Sequence, residues 1–291
     1  NRAIQPMKDD YTDNYYMQMA QNIRKYKGVR SRPIQSGTNN IEIDIDFSDW
    51  ALLSNEFFDA IGDTRFRDHN GYGGLHYSNE TGRNDIMTSK VAYDEDSLYF
   101  YVKTVYDLSP SSDPNWMLLF IDVDRNKGTG WEGYDYVINK GVESPVQTTL
   151  KQWDGLAWGN DVEIPYALSG SEMELSVPRT ALQLDEGTPE FYFKWADNPQ
   201  HLNDITCFFT DGESAPDRRF NYNFSTTPVN SIGQTPYKEL NIPGIIEFED
   251  FDNGSAGVAY ADAVYGNSGG AYRIDESVDI MEKADNEYCI T

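Results

Sequence analysis

The sequence is poor in cysteine, histidine and basic residues. Its two cysteines, Cys207 and Cys289, form no CxxC or Cys/His cluster, which excludes a zinc finger or ribbon. They read as two buried free thiols rather than a disulfide framework. Lys and Arg total 23 against 48 Asp and Glu, for a net charge of −25. A field of that sign repels phosphates and anionic lipid, so no nucleic-acid partner is expected. No apolar run approaches the length of a membrane span, so no membrane insertion is expected. No GxSxG nucleophile motif is present, and no GK[ST] follows the Gly-rich loop NGYGGL between His69 and His76. With 48 acidic residues, some carboxylate pair will fall at glycosidase spacing by chance, so no catalytic centre is read from pairs. The chain begins at Asn1 without Met or a signal peptide, and is expected to be a segment of a longer protein.

What it does have is aromatic residues: 20 Tyr, 14 Phe and 6 Trp, enough to fill a core and to face a half-wet surface. The acidic residues are spread along the chain. They fit a solvated face, and some of them fit a hard cation such as Ca²⁺.

Periodicity divides the chain. Tyr11, Tyr15, Met19, Ile23 and Tyr26 recur at three or four, which predicts an amphipathic helix over 9–27, with acidic residues first, basic residues last and Gly28 as the stop. From Ile41 the period becomes two. Strands are predicted at 41–46, 85–94, 97–106, 116–124, 134–139, 172–177 and 190–196. Many strands without intervening helices predict an all-β antiparallel β-sandwich. Residues 225–243 have linker composition, and a partial second β-sandwich module begins near residue 244. The expected organisation is a helical segment 1–33, a sandwich 34–224, the linker, and an incomplete module 244–291.

The strongest local feature is FIDVDRNKGTGWEGYDY, 120–136. Asp122, Asp124 and Asn126 alternate at the end of an apolar strand and Asp135 follows. Two readings stay open: a hairpin closed by Asp, Asn and Gly, or a cation loop. An EF-hand is excluded, because Lys127 and Gly133 stand where that loop needs Gly and Glu. Among the tryptophans, Trp116 and Trp195 fall inside strand patterns and read as core. Trp131, Trp153 and Trp158 fall in Gly-rich loops and are candidates for stacking on sugar.

Taken in order, IDIDFSDWA, LYFYVKT, WMLLFIDVDRNKGTGWEGYDYVIN, ELSVPRTAL and FYFKWADN resemble the family 9 carbohydrate-binding modules appended to bacterial glycoside hydrolases. The resemblance spans about residues 34–224. It implies a β-sandwich, makes Ca²⁺ an expected cofactor, and implies sugar clamped by tryptophan. The last fifty residues are similar to the start of a family 6 module, through Glu247-Phe248-Glu249-Asp250, NSGGAYR (267–273) and Val278-Asp279-Ile280. That likeness implies Ca²⁺ ligands at Glu247, Glu249 and the carbonyl near Arg273, and a sugar-stacking Tyr272. The segment before residue 28 resembles the end of a glycosidase catalytic domain. The expected function is therefore a non-catalytic carbohydrate-binding segment of a secreted, periplasmic or cell-surface bacterial hydrolase. Its partners would be a polysaccharide or oligosaccharide and a covalently linked catalytic domain. Alternatives are a spacer that orients that domain, or a haem domain using Met117 with His69 or His76.

Overall fold

The computed structural model of the protein describes Met19, Ala20, Ile23, Pro33, 38–71 and 74–226. Beyond these it describes Tyr237, Lys238, Asp250, Phe251, Asn253, Asn267, 269–273, 278–283 and 288–290. The chain divides into two compact units, Asn1–Thr226 and Thr227–Thr291.

The first unit is all-β. Its strands are β1 (Glu56–Phe58), β2 (Arg67–Asn70), β3 (His76–Asn79), β4 (Ile86–Tyr93), β5 (Ser97–Thr104), β6 (Leu118–Asp122), β7 (Tyr136–Ser144), β8 (Gln147–Trp153), β9 (Trp158–Ser169), β10 (Glu172–Pro178), β11 (Glu190–Asp197), β12 (Glu213–Ala215) and β13 (Tyr222–Ser225). Eleven of them form one antiparallel path in the order β1-β4-β5-β10-β9-β8-β7-β6-β11-β12, with β13 also on β11. β2 and β3 make a separate two-stranded ribbon.

The path folds into two layers at β9, a strand of 12 residues. Its first part, Trp158–Pro165, pairs with β8, and its second, Tyr166–Ser169, pairs with β10. One strand thus belongs to both sheets. The layers enclose the main core, where Phe100, Val102 and Leu175 of one sheet meet Leu119, Ile138, Phe193 and Trp195 of the other. Trp195 also donates its indole N–H to Ser89 Oγ of the facing sheet, 3.0 Å away.

Both outer faces are covered too. Tyr99 and Tyr101 of β5 pack under Ile41, Trp50 and Leu53. Leu118 and Phe120 of β6 pack under Trp131, Tyr134 and the helical turn Cys207–Thr210. This explains why LLFID is buried at every position, since a strand covered on both sides needs no polar alternation. Trp116, Trp195 and the thiol of Cys207 lie in the interior, and Cys207 is free.

The strand predicted at 41–46 is absent. The N–H groups of Asp44 and Ile45 both donate to Glu174 Oε1, at 3.1 Å each, instead of to a ladder. Ile45 has φ 74°, and Asp46 caps a 3₁₀ turn at Phe47–Leu52 through the Ser48 N–H. Of the predicted N-terminal helix, Met19, Ala20 and Ile23 are helical, and the rest lies outside the described residues. No helix among the described residues is long and apolar enough to cross a membrane.

In the second unit, β14 (Ile280–Glu282) pairs with β15 (Tyr288–Ile290). Asn267 ties this unit locally, its Oδ1 accepting from Gly270 N at 2.9 Å and Ile280 N at 3.0 Å.

Candidate functional site

The loop after β6 is closed by turn chemistry and gathers three carboxylates. Asp124 Oδ1 accepts from Asn126 N at 2.8 Å, Asn126 Oδ1 accepts from Gly128 N at 3.0 Å, and the Thr129 hydroxyl donates to Asp124. That is turn chemistry. Trp131 and Tyr134 then form a β-bridge, and Gly130 fits beside it because φ is 61° there and a Cβ would meet the Tyr134 carbonyl at 2.2 Å. The turn folds Asp135 back toward the strand, where its Oδ2 accepts from Val123 N at 2.9 Å.

As a result Asp122, Asp124 and Asp135 each place an oxygen within 4.8 Å of the others. Ca²⁺ holds its oxygens at about 2.3–2.6 Å, so ligands on opposite sides stand about 4.6–5.2 Å apart and three oxygens this close fit one coordination sphere. Asp122 is 1% exposed, and its Oδ1 has no hydrogen-bond partner. Burial pushes its carboxyl up to about 7. The Arg125 N–H works against this, and the charges of Asp135 and Asp124 add to it. A buried acceptor without a donor is costly, and a cation relieves it. Asn126 commits its side-chain oxygen to the turn, while the three aspartates form the cluster.

The tryptophans behind this loop form a graded series. Trp131 is 8% exposed and stacks on Phe120 at 5.6 Å, so it plugs the outer face of the sheet and offers no open ring face to a sugar. Trp158 is half-buried, edge-on to Trp131 at 6.2 Å. Trp153 is half-buried and T-shaped against Trp158 at 5.2 Å. These two end β8 and β9 as a cross-strand pair. The turn between them carries Leu156, which is 90% exposed. The outer sheet thus ends in a wet aromatic edge.

The remaining expected residues fall elsewhere. Tyr272 is stacked on Tyr288 at 4.8 Å and donates its hydroxyl to Asp250 Oδ1 at 3.0 Å. The Arg273 guanidinium lies 3.7 Å from the centre of the Phe251 ring. Glu247 and Glu249 lie outside the described residues. Met117 is packed in the sandwich core, whereas His69 and His76 are exposed on the β2–β3 ribbon. His69 stacks on Tyr77, and His76 bonds Asn70 Oδ1 and Asp68. That arrangement gives a haem no axial pair.

Sequence reasoning missed one acidic group altogether, Asp59 and Asp63 after β1 with Glu213 of β12. No local motif joins residues so far apart in the chain. Only the meeting of the two ends of the strand path does. No protein-family model, curated protein or solved structure matches the chain.

Proposed function

We propose that the chain is a non-catalytic carbohydrate-binding segment, stabilised by Ca²⁺ at Asp122, Asp124 and Asp135, that serves a covalently linked polysaccharide-degrading domain of a secreted bacterial protein. The observation that carries this reading is the Trp153–Trp158 pair at the tip of the β8–β9 hairpin. Rings held by a rigid hairpin and only partly covered can stack on the C–H face of a pyranose at little cost in side-chain ordering. The exposed Leu156 widens that apolar edge. The cation loop lies on the same outer face, and Phe120 and Trp131 pack it against Trp158. Calcium would therefore fix the platform rather than contact the sugar.

The test is affinity electrophoresis of the full chain through gels that carry plant and algal polysaccharides. Retardation by at least one glycan is expected. Unaltered migration on every glycan would overturn the binding role and leave a spacer.

A further inference from the structure

The β8–β9 hairpin breaks its register once, between the Leu150–Val162 and Gln152–Gly159 pairs. A single residue of β8, Lys151, lies between those pairs, opposite two of β9, Asn160 and Asp161. That is a β-bulge, and Asn160 takes it up at φ 54°. A bulge turns a side chain out of the regular pleat. Here it aims Asp161, whose Oδ2 accepts from the Lys151 ammonium.

This ion pair stands on the same face as the aromatic edge. Leu150 points into the main core, so Lys151 points outward, opposite Val137 of the outer-face cluster, and Trp153 follows two residues on. Same-face neighbours on one strand are about 7 Å apart, so a sugar ring on Trp153 reaches Lys151 with its edge. The Lys151 stem passes Gly141 of β7, where a Cβ would meet Lys151 Cε at 3.8 Å. Its side chain is 17% exposed, against 51% for Asp161. The cation is thus held in place, and the carboxylate keeps an open side. A pair this exposed adds only about 0–1 kcal/mol to stability, so the fold gains little from a bulge that makes it.

Stacking fixes the plane of a ligand, and a few polar groups fix its orientation. A pyranose edge with free hydroxyls on two adjacent carbons matches the pair, one hydroxyl donating to Asp161 while its neighbour accepts from Lys151. A sulfate or uronate at that edge meets repulsion from Asp161 and from Glu163, both exposed.

We propose that Lys151 and Asp161 are the polar half of the sugar site, and that its ligand is a neutral pyranoside polymer with a free vicinal diol in each unit, as in 1,4-linked chains. In a 1,3-linked chain the linkage takes the middle hydroxyl, so the ring face remains without an adjacent pair. The proposal rests on the sugar-binding reading of Trp153 and Trp158 and adds the substrate class.

The experiment is affinity electrophoresis of the full chain in gels carrying 1,4-linked glucomannan, xylan or galactan, and in a gel carrying 1,3-linked glucan. Lys151→Met, Asp161→Ala and Trp153→Ala run beside wild type. At least one 1,4-linked glycan should retard wild type more than the 1,3-linked glucan does. Lys151→Met and Asp161→Ala should each weaken that binding about tenfold or more, with thermal midpoints within a few degrees of wild type. Their weak retardation by the 1,3-linked glucan should match wild type. Wild-type affinity in both variants, alongside loss in Trp153→Ala, would overturn the diol site and leave the sugar reading standing. So would a wild type that prefers the 1,3-linked glucan, or that is retarded by some other glycan and by no 1,4-linked one. Migration unaltered by any glycan would overturn both.

Discussion

Trp50 donates its indole N–H to Glu174 Oε2 at 2.8 Å, although the two residues are 124 positions apart. The same carboxylate takes the main-chain N–H groups of Asp44 and Ile45 through its other oxygen. One buried glutamate therefore organises the whole segment that covers the outer face of β5. Glu174→Gln turns one acceptor oxygen into a donor and strands at least one buried N–H. A loss of about 1–3 kcal/mol is expected in urea unfolding. Ile45 is itself β-branched at φ 74°, so Ile45→Gly or Ile45→Asn should relieve strain and raise the unfolding midpoint.

Arg83 joins two segments through Asp197 and Asp113, with Nε–Oδ2 at 2.7 Å and Nη1–Oδ2 at 2.9 Å. Asp197 is fully buried and also accepts from Met117 N at 2.9 Å. Arg83→Ala leaves that carboxylate without its counter-charge. The expected loss is about 3–5 kcal/mol, read as a lower denaturation midpoint at unchanged slope.

Asp94 supplies the acid limb of stability. Burial opposes its charge, but the hydroxyl of Tyr99, the N–H groups of Ser97 and Asp96, and Arg179 together hold its carboxyl below the ordinary carboxylate value. A depressed folded value means the contribution is present above the unfolded value near 3.8 and is lost as pH falls through the folded one. Asp94→Asn should therefore lower stability at pH 6 and change little at the acid end. The check is the melting temperature followed from pH 6 to pH 2.5.

Gly130 is the tightest point of the loop after β6. Ala there would press its Cβ on the Tyr134 carbonyl at 2.2 Å while holding φ at 61°. Strain of about 1–3 kcal/mol is expected, together with weaker binding of the proposed Ca²⁺, because the turn is what returns Asp135 to Asp122. Calorimetric titration of Gly130→Ala against wild type checks both.

The fold was legible where runs of β-branched and aromatic residues stand between turn residues. Strands β4, β5, β6, β7, β10 and β11 follow from their β-branched and aromatic residues, and the antiparallel class follows from them. β9 was not legible, because WGNDVEIPYALS mixes Gly, Asn and Pro in a strand that changes sheets midway. IEIDID alternates like a strand yet serves as a cover, because Glu174 competes for its N–H groups. At the site, the convergence of Asp122, Asp124 and Asp135 was readable, being local. The burial of Trp131 was not, since a Gly-rich loop does not reveal what it folds onto. The Asp59–Asp63–Glu213 group depends on which strands end the path, and spacing along the chain carries no trace of that.

The most direct test of the carbohydrate-binding account is the migration of Trp153→Ala through a gel containing the glycan that retards wild type. The account predicts that retardation falls by about tenfold or more in affinity, with the thermal midpoint within a few degrees of wild type, because Trp153 is half-buried at a hairpin tip. Full retardation by a folded Trp153→Ala would contradict it.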